Sequence, residues 1–201
     1  MPNRRAFLTL ASAVLLPAGR PVHAQGAGKD ASAFLKTFGD QLVAVVNGSE
    51  SDREKRSKLT AIIDGGVDVD GVARFCLGRF WRTASPEQQQ RYSELFRQVL
   101  VNNITAKLGE YRGVRFTLGR AQQRDDNVII STVVERPNNP PTNVDWIISN
   151  PGSDPKIIDV VAEGTSLRLT QRQDYASYLS RNNNSIDALI NAMRQQVGPA
   201  G

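Results

Sequence analysis

The chain has 201 residues, 40% hydrophobic and 22% charged, the mix of an ordinary globular protein rather than a disordered or collagen-like one. One Cys and one His exclude an internal disulfide and a Cys/His zinc site, and no apolar run approaches the roughly 18 residues that span a bilayer. The formal charge of +5 points toward nucleic acid, an indication that weakens once the N-terminus is read.

Met1 to Ala24 carries Arg4 and Arg5, an apolar stretch from Ala6 to Leu16, helix breakers at Pro17, Gly19 and Pro21, and a small residue at its end. That order of positive, apolar and small segments predicts a secretory signal cleaved after Ala24. Arg4-Arg5-Ala6-Phe7-Leu8 is also a partial twin-arginine pattern, so both export routes stay open. Removing the signal takes three arginines and no acid, so the 25 Lys+Arg fall to 22 against 20 Asp+Glu. A net +2 without a clustered basic face argues against a nucleic-acid partner. His23, the sole His, leaves too, and with it every Ser-His-Asp or Cys-His machinery and every His-ligated metal or haem.

Residues 25–30 are small and polar, a loose flexible leader. A first helix follows with Phe34, Leu35, Phe38, Leu42, Val45 and Val46 at helical spacing. A second starts near Ser51 and ends at Gly65-Gly66; its charge run Ser51–Lys58 reads as a solvated face or a docking surface. The third spans roughly Asp68 to Phe80, with Asp68 and Asp70 suited to its N-terminal dipole. Ser85-Pro86-Glu87-Gln88 opens a fourth, with Ser85 as N-cap and Gln88 closing a capping box. Its apolar stripe runs from Tyr92 through Phe96 and Leu100 to Leu108.

Beyond Gly109 the period changes to two. Val114, Phe116 and Leu118 alternate with polar residues; Asp125-Asp126-Asn127 is a turn; Val128–Glu135 is a second strand. Val144, Trp146 and Ile148 mark a third, and Lys156–Ala162 a fourth. Two helices close the chain. Helices, then a four-stranded antiparallel meander, then helices predict an α+β fold over residues 31–197 as a single domain.

Cys76, among Phe75, Leu77 and Phe80, reads as a small buried hydrophobe. The segment Arg74-Phe75-Cys76-Leu77-Gly78-Arg79-Phe80-Trp81-Arg82 sets arginines among aromatics, as core or as the lip of an apolar pocket facing anionic head groups.

With Ala84-Ser85-Pro86-Glu87-Gln88 after it, that segment resembles the periplasmic phospholipid-binding proteins of the MlaC, or toluene-tolerance, type. Tyr111-Arg112-Gly113, Asp126-Asn127-Val128, Val144-Asp145-Trp146, Lys156-Ile157-Ile158-Asp159-Val160, Glu163-Gly164-Thr165-Ser166-Leu167 and Thr170-Gln171-Arg172 continue the likeness in family order, from about Ala31 to Gln195. Cys76 and the twin-arginine-like signal depart from it, since general secretion is usual in the family.

The resemblance implies an NTF2/cystatin-like sheet packed with helices around a deep apolar lipid cavity. It implies a periplasmic carrier, without cofactor, that moves phospholipids between an outer-membrane lipoprotein complex and an inner-membrane ABC transporter with a lipid-binding periplasmic component. Such a carrier maintains outer-membrane lipid asymmetry and does not itself span a membrane. A hopanoid-associated branch of the family is similar. Expected cavity residues are Phe116, Leu118, Val144, Trp146 and Ile148 from the strands, and Phe80, Trp81, Phe96, Leu100 and Tyr111 from the helical part. Arg79 and Arg82 are the expected head-group contacts. Competing readings are an enzyme using Asp145 or Asp159 as general base in an apolar pocket, and an adaptor with a solid core.

Overall fold

The computed structural model describes residues 22–198, so the export signal expected over residues 1–24 lies outside it except for its last three residues. Helix α1 (Val22–Asn47) passes through residues 25–30, where a loose leader was expected. Small size is what permits it: Ala27 and the fully buried Ala31 pack against the sheet, and alanine is the best helix former. Ser32 Oγ also donates to the Gly28 carbonyl at 2.7 Å.

Helix α2 (Asp52–Gly66) opens on a reciprocal capping box between Ser51 and Glu54. Hydrogen bonds from Ser51 hold the Glu54 carboxyl below its ordinary range. The charge run is not wholly solvated: Lys55 is buried, with Nζ 3.5 Å from the Val46 carbonyl. Arg56 reaches Asn102, and Lys58 pairs with Glu50. Helix α3 (Val69–Leu77) starts where Asp68 accepts from the Gly71 N–H at 2.9 Å. It passes at Gly78 (φ 61°, ψ −130°) into a 3-10 segment, Gly78–Arg82; that backbone region favours glycine. Helix α4 (Pro86–Ala106) carries the anticipated capping box of Ser85 and Gln88 with Pro86 in its first turn. A 3-10 turn, Leu108–Tyr111, leads into the sheet.

The sheet is antiparallel in the order β1 (Arg115–Arg124), β2 (Asn127–Glu135), β3 (Thr142–Ser149), β4 (Lys156–Ala162) and β5 (Thr165–Ser166). Its fifth strand exceeds the four expected. Two residues have no period to read; β5 exists because Glu163 (φ 48°) and Gly164 (φ 78°) form a tight hairpin turn. A bulge interrupts β1 between Leu118 and Ala121, at a glycine whose Cβ would sit 2.9 Å from the Ser131 carbonyl oxygen. Helices α5 (Leu167–Arg181) and α6 (Ile186–Val197) close the described chain.

Two apolar cores result. One joins α3, α4, α5 and α6 around Tyr92, whose ring meets Trp81, Phe96 and Tyr175 and whose hydroxyl donates to the Ala73 carbonyl at 2.9 Å. The other lays α1, through Leu35 and Phe38, on Val128, Ile130, Ile148 and Ile157 of the sheet.

Gly39 sets the approach of α1 to β1, because a Cβ there would overlap the Phe116 ring. In an ordinary helix interior Gly→Ala gains up to about 1 kcal/mol. Here overpacking of about 1–3 kcal/mol outweighs that gain, so Gly39→Ala is expected to lower the urea midpoint. Gly65→Ala, which meets open space, should leave it unchanged or raise it.

Candidate functional site

Between the two cores lies a cavity of about 760 Å3. Its walls are the inner faces of both: Leu35, Phe38, Leu42 and Val46 of α1, Leu59 and Ile63 of α2, Cys76 of α3, and Phe96, Leu100 and Ile104 of α4. Phe116, Val134, Trp146, Ile157 and Val160 of the sheet complete them, with Tyr111 from the 3-10 turn. The amphipathic stripes that would ordinarily close on one another thus face a shared space. Exposed lining residues Asn103, Lys107 and Leu167 mark where it meets solvent.

Polar groups on the lining are mostly spoken for. Trp146 Nε1 donates to Thr132 Oγ1 at 2.9 Å, and that hydroxyl donates to the Val144 carbonyl at 3.1 Å. The indole therefore offers the cavity only its ring, which packs edge-on against Phe38. Asp159, buried on β4, accepts from the Val160 N–H (2.8 Å), the Ser166 hydroxyl (2.6 Å) and the Arg168 N–H (3.2 Å), and pairs with Arg168 Nε at 3.4 Å. These bonds pin the first turn of α5 to the sheet, an anchoring role rather than that of a free general base. Asp145 is half-buried on β3 and does not line the cavity. Lys107 is the lining cation that has no acidic partner among the described residues.

Cys76 is 1% exposed, its Sγ 3.5 Å from the Arg168 carbonyl oxygen. Burial pushes its thiol up to about 12, against a smaller lowering from the Arg168 charge. At pH 8 the native thiol should react with a disulfide reagent on the order of a thousandfold more slowly than the urea-unfolded chain, because so little thiolate is present. Since the folded-state value lies above the unfolded one, the stability this thiol contributes is intact below about pH 8.5 and drains away as pH climbs toward 12. Comparable labelling of native and unfolded protein would show that Cys76 is not buried in this way.

Of the ten expected cavity residues, Phe96, Leu100, Tyr111, Phe116 and Trp146 line it. The others do not. Phe80 and Trp81 pack against the helical core, Leu118 packs against the α1–sheet core, and Val144 and Ile148 are buried within the sheet layer. Arg79 and Arg82, the expected head-group contacts, are exposed and off the lining. The turn at Gly78 aims their segment outward. There Arg74 lies over Trp81, Arg79 over Phe80, and both Arg168 and Arg172 over Phe75, each within 5.0 Å of the ring centre. Among the wall residues that sequence reasoning missed are Leu42, Val46, Ile104 and Lys107. All but Lys107 stood in recognised helical stripes, and a stripe looks the same whether it faces a partner or a cavity.

Comparison with known proteins fits this geometry. The family model described as "MlaC protein" matches residues 36–195. The toluene tolerance protein Ttg2D of Pseudomonas putida is 27% identical over 144 residues, covering 71% of this chain and 67% of the relative. A phospholipid-binding protein from Ralstonia solanacearum, solved in complex with a phospholipid, superposes with a TM-score of 0.72 at 23% identity. That match covers 84% of this chain and 97% of the other, and shows the shared fold.

Proposed function

The chain belongs to the MlaC protein family, and from that membership we propose that it is a non-enzymatic periplasmic carrier of single phospholipid molecules. The observation that carries the reading is the apolar cavity between the two cores. At about 24 cal/mol per Å3, filling about 760 Å3 of apolar space is worth at most on the order of 18 kcal/mol. Two acyl tails of about 30 methylenes gain a comparable sum against water, roughly 24 kcal/mol. Measured against another apolar host, such as a bilayer or a second carrier, most of that gain cancels, so one lipid can be both held and passed on. This reading requires no chemical step, and Asp159, the sole carboxylate on the lining among the described residues, serves as an anchor.

The N-terminal pattern of Met1–Ala24 supports export, and the family places such carriers between an outer-membrane lipoprotein complex and an inner-membrane ABC transporter. Among the described residues no helix is long and apolar enough to cross a membrane. In this reading the chain ferries phospholipid between those partners and so maintains outer-membrane lipid asymmetry. Lys107 replaces Arg79 and Arg82 as the proposed head-group contact, since among the described residues it is the lining cation without an acidic partner.

Native mass spectrometry of detergent-free protein tests the proposal. A discrete added mass that fragments as a diacyl phospholipid is the expected result, and Lys107→Glu should reduce the anionic share of the bound lipid. A hopanoid would assign the sister branch of the family. A bare mass that persists after incubation with vesicles would overturn the carrier reading in favour of an adaptor.

A further inference from the structure

One corner of the molecule joins α3, the 3-10 segment Gly78–Arg82 and the first turns of α5. Its two stretches of chain, residues 71–85 and 164–173, contain no Asp or Glu and five arginines: Arg74, Arg79, Arg82, Arg168 and Arg172. They meet in space. Cys76 Sγ lies 3.5 Å from the Arg168 carbonyl oxygen, and a Cβ on Gly78 would stand 3.2 Å from Arg172 Nε. Asp159 compensates Arg168; among the described residues the other four arginines have no acidic partner.

The same corner carries Leu167 and Leu169, 53% and 45% exposed, the two most exposed large hydrophobic side chains among the described residues. A single exposed leucine asks for no explanation. Two in the first turn of one helix, beside unpaired arginines, do. Leu167 and Arg168 also belong to the cavity lining, so this patch adjoins an opening of the cavity. The turn is held rigid, since Asp159 binds both the Ser166 hydroxyl and the Arg168 N–H.

We propose that this corner docks the protein on an anionic phospholipid surface, with Leu167 and Leu169 entering the interface and the arginines meeting head-group phosphates. Guanidinium groups pre-oriented over aromatic rings present planar paired donors that suit phosphate oxygens. Leucines interleaved with cations suit the boundary between head groups and acyl chains. An acidic protein would satisfy the arginines but gives the exposed leucines no comparable apolar phase. The proposal rests on the carrier reading, since it places a lipid-exchange opening against a source of lipid.

The test is co-sedimentation of the purified protein with phosphatidylcholine vesicles, with and without phosphatidylglycerol, at low and high salt. Binding is expected only with phosphatidylglycerol, with release at high salt. Leu169→Glu and Arg79→Glu should each weaken partitioning about tenfold or more. Neither residue lines the cavity, so lipid loading by native mass spectrometry should be unchanged in both. Lipid-loaded protein that fails to sediment, variants that bind like the parent, or capture by an acidic protein without vesicle binding would each overturn the docking surface while leaving the carrier standing. Protein that binds vesicles but never carries lipid would instead overturn the carrier.

Discussion

Ile104→Trp is expected to strip the protein of bound lipid without unfolding it. Ile104 is half-buried on α4 and faces the cavity, so the larger side chain can extend into space already walled by apolar groups. Displacing only three methylenes of lipid removes about 2.4 kcal/mol, roughly fifty-fold in occupancy at limiting lipid. Ile104 also packs against the helical core, and a side chain that keeps this contact while reaching into the cavity should leave the thermal midpoint near that of the parent. Native mass spectrometry reads the first effect and calorimetry the second. Full loading in the variant would mean that the lipid lies elsewhere, and unfolding would mean that the contact of Ile104 with the helical core tolerates no larger side chain.

The largest loss of stability is expected at Asp159. Its carboxylate gathers three hydrogen bonds and an ion pair in a buried setting. Asp159→Ala leaves the Ser166 hydroxyl and the Arg168 N–H without their acceptor and the half-buried Arg168 without its counter-charge. Removing one partner of a buried pair typically costs about 3–5 kcal/mol. For a chain of this size that is a fall of about 10 °C in thermal midpoint. Asp159→Asn, which retains an acceptor oxygen but no charge, should lie between the parent and the alanine variant. If Asp159→Ala unfolded with the parent, α5 would be held by packing alone and its rigid first turn would need another source.

Much of the architecture was legible because its signals are local. Ser51, Asp68 and Ser85 are N-caps whose side chains satisfy helix N–H groups within three residues, so their role can be read without knowing any neighbour. The alternation of Phe116 and Leu118 with Arg115, Thr117 and Gly119 likewise follows from the pleat alone. Residues 25–30 misled because their helix depends on Ala27 and Ala31 fitting against a sheet that begins some ninety residues later. Strand β5 was invisible for a similar reason, being two residues held by a turn and by pairing with Val161 and Ala162.

The candidate site divides along the same line. That Phe96, Leu100 and Phe116 shun water is a property of each side chain and its periodicity. Whether they meet other side chains or a cavity depends on how far α1 and α4 stand from the sheet, a distance set by Gly39, Phe116 and the separation of the two cores. The arginine–aromatic segment shows it most clearly. Its composition was evident from residue types, but its direction was decided by the backbone turn at Gly78 and by Arg168 and Arg172 arriving over Phe75 from more than ninety residues away. The sequence by itself determined the elements, their caps, the absence of histidine chemistry from the chain beyond Ala24, and the family. Only the tertiary structure decided which apolar faces close on each other and which enclose a cavity, because burial is a relation between surfaces and periodicity describes one surface at a time.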